Sequence, residues 1–102
     1  MSEFSDNVYS AVQRIPKGKV TSYGYVAFLA GKPHAARAVG FVLHRNPNPD
    51  ITPCHRVVFK DGSLCSGYAF GGPEVQREKL LNEGVIFLPD GRVDMEACAW
   101  IE

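Results

Sequence analysis

Cysteine is scarce: three residues in 102, Cys54, Cys65 and Cys98, an odd count without a Cys-x-x-Cys pair. That spacing argues against a disulfide framework, and the lack of close ligand pairs argues against structural zinc. No apolar run approaches the roughly 20 residues that a membrane span takes. The first six residues, Met1 to Asp6, have neither the basic start nor the apolar stretch of a signal peptide. A cytoplasmic location and no membrane partner are therefore expected. With 45% hydrophobic and 22% charged residues the composition is that of an ordinary folded globule. The length suits one core, so a single domain over 1–102 is expected.

Acidic residues are missing where it matters. The net charge is zero, yet residues 1–60 carry eight basic residues against three acidic ones, and residues 61–102 carry three against eight. Between Asn7 and Pro49 there is no carboxylate, while Arg14, Lys17, Lys19, Lys32, Arg37 and Arg45 all fall there. Such a segment is suited to lie against a polyanion, where phosphate contacts supply sequence-independent affinity. On charge alone an ordinary solvated basic face fits equally well.

Phe4, Val8, Tyr9, Ala11, Val12 and Ile15 recur at three- and four-residue steps, which predicts a helix over 3–14 with Ser2 as its cap and a turn at 16–19. Val20-Thr21 reads as a short extended piece. Ser22 is placed to cap a second helix to about Ala30, stopped by Gly31. Pro33 suits the first turn of a third helix running through Leu43. Helix, short glycine-containing turn, helix is the helix-turn-helix pattern. Asn46-Pro47-Asn48-Pro49-Asp50 is a stiff loop, and the segment 51–59 ends as a strand. Asp61-Gly62 reads as a hairpin turn toward Leu64. Pro73 opens a helix that stops at Gly84, and 85–94 reads as a closing hairpin, with Trp100 packing the terminus. The fold class is mainly α with small β elements, a winged helix-turn-helix type of domain.

Pro53-Cys54-His55-Arg56-Val57 concentrates the chemistry. A nucleophilic thiol needs a nearby base, a positive field, or both, and Cys54 has an imidazole beside it and a guanidinium two residues on. A Cys-His pair alone fits an inert buried cysteine with a core histidine better. The whole string, however, resembles the active-site motif of the O6-alkylguanine-DNA alkyltransferases. Pro16-Lys17-Gly18-Lys19-Val20-Thr21-Ser22-Tyr23 is similar to the start of that family's helix-turn-helix. Ala35-Ala36-Arg37-Ala38-Val39-Gly40 is similar to its recognition helix, and Asn46-Pro47 to its hinge. Gly67-Tyr68 with Gly71-Gly72 resembles its substrate-side loop, and Leu80-Leu81 with Glu83-Gly84 its following helix.

The resemblance implies irreversible transfer of an alkyl group from guanine O6, in double-stranded DNA, onto the protein's own thiol, once per molecule and without metal or cofactor. Cys54 would be the acceptor, His55 the base acting through a water, and Glu83 the acid orienting it, with Glu78 as fallback. The recognition helix would enter the minor groove, where Ala35 and Ala36 permit close approach and Arg37 fills the place of the extruded base. Tyr23 would sit near the rotated phosphate and the guanine edge. Asn46 would hold the hinge, and the Val57 carbonyl would accept from the guanine amino group. Tyr68, Phe70 and Gly71 would line the alkyl side. Cys65, Cys98, His34 and His44 carry no assigned role, and a monomer is expected.

Three departures stand out against that family. No second domain is expected before the DNA-binding unit, Arg45 stands where a glycine often precedes the hinge, and Ala69-Phe70 occupy a slightly long loop where a small hydroxyl residue is frequent. Short chains of this kind also resemble the alkyltransferase-like proteins, which bind alkylated DNA without repairing it and flag it for partners in the repair machinery. Those typically lack the cysteine that is present here.

Overall fold

The computed structural model describes residues 3–102. Ser2, expected as the first cap, lies outside the described residues. Helix α1 (Glu3–Gln13) buries Val8, Ala11 and Val12 completely. Each such valine is worth about 1.5–3 kcal/mol when removed from water, well above differences in helix propensity. Strand β1 (Thr21–Ser22) runs into α2 (Tyr23–Leu29), capped by the Ser22 hydroxyl, which accepts from the Tyr25 N–H at 3.1 Å. Gly31, at φ +91°, lets the chain reverse.

Helix α3 (Ala36–His44) begins later than the sequence pattern suggested. The Ala35 N–H donates to the Lys32 carbonyl at 2.9 Å, closing a turn with Pro33 at its second position. Proline's fixed φ suits the second position of a turn as well as a helix start, and here the turn precedes α3, which packs on α1 and α2. Ala35 is thus the residue preceding the helix.

The three helices surround one apolar cluster containing Val8, Val12, Ile15, Val26, Val39 and Leu43, with Cys54 and Val57 at its edge. The Tyr9 hydroxyl ties α1 to α3 by donating to the Val42 carbonyl at 3.1 Å. Strand β2 (Val57–Val58) pairs in parallel with β1, Thr21 opposite Val57 and Ser22 opposite Val58. This pairing sets the segment that follows Cys54 directly beside the start of α2. Among the described residues the architecture is helical with this one small sheet.

A second cluster, with Val20, Val58, Leu80, Val85, Val93 and Cys98, fills the C-terminal half. The Asp61-Gly62 turn forms, its Gly62 N–H donating to the Phe59 carbonyl at 2.8 Å, but Leu64 lies outside any strand. Gly62 instead accepts from the Val93 N–H at 2.9 Å, and at φ +91° a Cβ there would run into the Val93 backbone. Helix α4 (Gly72–Asn82) starts after Gly71, whose φ of +123° and closeness to Val75 leave no room for a side chain. The closing hairpin is reduced to one antiparallel bridge, Phe87 to Val93. A four-residue helix, α5 (Met95–Cys98), follows under an Asp94 cap. It is too short to leave a periodic signature. Trp100 packs against the first cluster, and its N–H donates to the Val20 carbonyl at 2.7 Å. Among the described residues no helix is long and apolar enough to cross a membrane.

Candidate active site

The Pro47–Pro53 segment exists to hold one thiol. Cys54 opens a single 3-10 turn (Cys54–Arg56), and its N–H donates to the Thr52 carbonyl at 2.7 Å. The same carbonyl accepts from Asn46 Nδ2 at 2.8 Å, while Asn46 Oδ1 accepts from the Asn48 N–H at 3.1 Å. Gln13 of α1 donates to the Thr52 hydroxyl at 2.8 Å, clamping the loop from the other side. The Cys54 side chain is buried, and burial pushes its thiol up from the ordinary cysteine value. The nearby Asn46 amide, Lys79 ammonium and Tyr68 hydroxyl oppose that rise in part.

Behind the thiol, His55 Nε2 meets Glu83 Oε2 at 3.0 Å. Arg56 grips the same carboxylate with two bonds, Nε to Oε1 at 3.0 Å and Nη2 to Oε2 at 2.8 Å, and donates Nη1 to the Ile15 carbonyl at 2.8 Å. Burial raises the Glu83 carboxyl, but the bonds from Arg56 and His55 outweigh it and hold it below the usual range. Burial pushes the His55 imidazole down, against the pull of Glu83, so the ring is neutral at pH 7. A carboxylate only accepts, so a neutral ring places its proton on Nε2 and leaves Nδ1 as a lone pair. Nδ1 is buried without a hydrogen-bond partner among the described residues. Glu83, at the C-terminal end of α4, is therefore the acid that meets His55; Glu78 is exposed.

In front of the thiol lies a cavity of about 580 Å³ open to the surface. Tyr23, Ala36, Arg37, Cys54 and Tyr68 line it, bringing together five of the residues singled out from the sequence. Burial raises the hydroxyls of Tyr23 and Tyr68, with the Cys65 and Cys54 thiols adding to the effect, so both stay protonated donors. Ala35, Phe70 and Gly71 stand outside the lining: Ala35 precedes α3, Gly71 precedes α4, and Phe70 packs edge-on against Tyr68 at 5.8 Å. Val57 is fully buried, and its carbonyl accepts from Gln76 Nε2 at 3.2 Å, which uses one of the two lone pairs of that oxygen.

The sequence pattern missed several contributors. Gln76 also holds the His55 carbonyl at 3.1 Å, and nothing short of the fold signals a glutamine turned inward from α4. Phe41 lines the cavity although its side chain is 67% exposed. Its signal was its place one helical turn after Arg37. Phe59 joins it against the Tyr23 ring, centroids 5.3 Å apart, and Cys65 lines the same wall.

A helix-turn-helix whose second helix borders a cavity floored by a buried thiol defines the class. The family model for the DNA-binding domain of 6-O-methylguanine DNA methyltransferase matches residues 3–85, and the chain belongs to that family. Among its relatives, a DNA base-flipping protein of Escherichia coli K12 is 43% identical over 99 residues, 95% of this chain and 74% of the relative. A methylated-DNA–protein-cysteine methyltransferase of Salmonella typhimurium is 42% identical over 85 residues, 83% of this chain and 48% of its own length. The chain thus spans about half of that methyltransferase. Among solved structures, Schizosaccharomyces pombe Atl1 in complex with damaged DNA containing O6-carboxymethylguanine superposes with a TM-score of 0.83 at 33% identity, covering 100% of this chain and 98% of that one. The Mycobacterium tuberculosis O6-methylguanine methyltransferase gives 0.74 at 42% identity, over 82% of this chain and 50% of its own.

Proposed function

We propose that the chain binds double-stranded DNA, extrudes an O6-alkylated guanine into the 580 Å³ cavity, and transfers the alkyl group to Cys54. Helix α3 lies in the minor groove, with Ala36 and Gly40 allowing close approach and Arg37 taking the vacated place in the stack. Extrusion costs a few kcal/mol of stacking and pairing, which the Arg37 insertion and the apolar cavity wall offset. His55 Nδ1, the free lone pair, takes the thiol proton through a bridging water. The resulting imidazolium is stabilised by Glu83, whose charge Arg56 maintains. Sγ then attacks the alkyl carbon, forming C–S and breaking C–O6. The bonding pair returns to the guanine, which takes up a proton. The thioether has no leaving route, so each molecule acts once.

The observation that carries this reading is the placement of Cys54 between two partners. The DNA-facing cavity lies on one side, and a neutral histidine paired with a carboxylate lies on the other. A second reading, recognition without transfer, is favoured by the near-complete span of the Atl1 structure and by the burial that holds the thiol protonated. Titrating the protein against a duplex carrying one O6-methylguanine, and counting restored guanines by nucleoside chromatography, separates the two. Transfer predicts one guanine restored per protein molecule and none with Cys54→Ala. Binding without restored guanine overturns it in favour of recognition.

A further inference from the structure

Lys79 sits on α4 one turn before Glu83 and has no place in the mechanism above. Its ammonium donates to the Tyr68 hydroxyl at 3.2 Å and stands 5.7 Å and 5.9 Å from the ring centroids of Tyr68 and Phe70. An ammonium is donor-only, so Tyr68 Oη must be the acceptor in that bond. The hydroxyl keeps one O–H to give, and Tyr68 and Cys54 line the same cavity, where each acts on the other's proton. With Lys79 on its acceptor side, Tyr68 has only its O–H to turn toward the sulfur. A thiolate accepts and never donates, so this arrangement suits the ionised sulfur better than the thiol.

The surrounding charges leave Lys79 in an unusual position. Arg56, two residues from the thiol, is neutralised by Glu83 at 2.8 Å. Tyr9 from α1, Tyr23 from α2, Asn46 from the hinge and His55 beside the sulfur are uncharged. Glu83, one turn on, also borders the second hollow of about 350 Å³ that Lys79 and His55 line. Lys79 itself forms no ion pair with a carboxylate among the described residues. The Tyr68 hydroxyl and the nearby Phe70 ring hold its ammonium, so its charge is kept in place rather than left in solvent.

We propose that Lys79 is a positioning residue that sets the nucleophilicity of Cys54, aiming the Tyr68 hydroxyl at the sulfur and adding its unpaired positive charge to that of Arg37 on the cavity wall. This rests on the transfer reading above for its biological use, but the property can be read without DNA. The measurement is the rate of Cys54 carboxamidomethylation by iodoacetamide between pH 6 and 10, resolved from Cys65 and Cys98 by peptide mass mapping. Wild type, Lys79→Met, Lys79→Arg and Tyr68→Phe are compared, each with its thermal midpoint. Lys79→Met is expected to move the midpoint up by about half to one pH unit, a roughly three- to tenfold loss of rate at neutral pH. Tyr68→Phe should move it the same way, and Lys79→Arg should stay near wild type. A Lys79→Met profile superimposable on wild type overturns the proposal. So does a Lys79→Arg variant as slow as Lys79→Met, because packing rather than charge is then at work. If the profiles shift as expected in a protein that never restores guanine, the transfer reading fails while the role of Lys79 stands.

Discussion

At the scale of single residues, reactivity depends on opposing influences on two side chains. Burial keeps Cys54 as thiol and His55 as free base, and the transfer step needs the proton to pass from one to the other. Glu83→Gln keeps the shape but removes the anion that stabilises imidazolium. It is expected to slow methyl transfer by about 10²–10³-fold while leaving duplex affinity within a factor of two, read by single-turnover kinetics and fluorescence anisotropy. Equal losses in both would contradict the assignment. Arg37→Ala should reduce lesion processing far more than affinity for undamaged duplex, because insertion occurs only when the base is out. Much of this site is legible in the sequence: the thiol, the imidazole and the arginine stand in short strings. The acid is legible only through the resemblance, since choosing Glu83 over Glu78 requires the register of α4. Gln76 and Lys79 stay hidden because a polar residue on a helix reads as solvated until the fold turns it inward.

At the scale of elements, α3 combines two demands that conflict. Gly40 lies inside the helix, where a Cβ would meet nothing within 4 Å, and it lines the cavity. Gly40→Ala should therefore stabilise the fold by about 0.5–1 kcal/mol, the cost of a mid-helix glycine. It should also weaken duplex binding, because the added methyl stands on the surface that approaches the groove. A rise in thermal midpoint with undiminished affinity would place the groove elsewhere. Gly62→Ala has the opposite sign. A positive φ and a Cβ pressed into the Val93 backbone predict a loss of about 1–3 kcal/mol in chemical denaturation. The helices were legible because their apolar spacing is long. The Pro33 turn, the parallel pairing of β1 with β2 and the four-residue α5 were not. Proline serves turn and helix start alike, and two-residue strands joined across 36 positions leave no local pattern.

At the scale of the molecule, the charge division seen in the sequence maps onto function. The segment without carboxylates builds α2, the turn and α3, while the acidic half builds α4 and the C-terminal packing. The logarithm of duplex affinity should fall linearly with the logarithm of salt concentration, and replacing Lys32 or Arg45 by Ala should lower that slope by about one unit for each residue that meets a phosphate. An unchanged slope would remove that residue from the interface. Stability should also depend on pH in a definite direction. His55 is held below its ordinary value of 6.5 and Glu83 below 4.5, so the unfolded chain binds more protons than the folded one near both values. Stability should decline as pH falls below about 6.5 and again below about 4.5, with His55→Asn flattening the first decline. The acid that completes the site comes from α4, in the half of the chain that the charge pattern sets apart from the half that builds α2 and α3. The fold joins the two through Arg56, which bonds both Glu83 and the Ile15 carbonyl just after α1.

The measurement that bears most directly on the central claim is the intact mass of the protein after mixing with an equimolar duplex carrying one O6-methylguanine, followed by peptide mapping. The mechanism derived from Cys54, His55 and Glu83 predicts that every molecule gains one methyl group, all of it on Cys54. A protein that holds the duplex tightly yet keeps its original mass would contradict it.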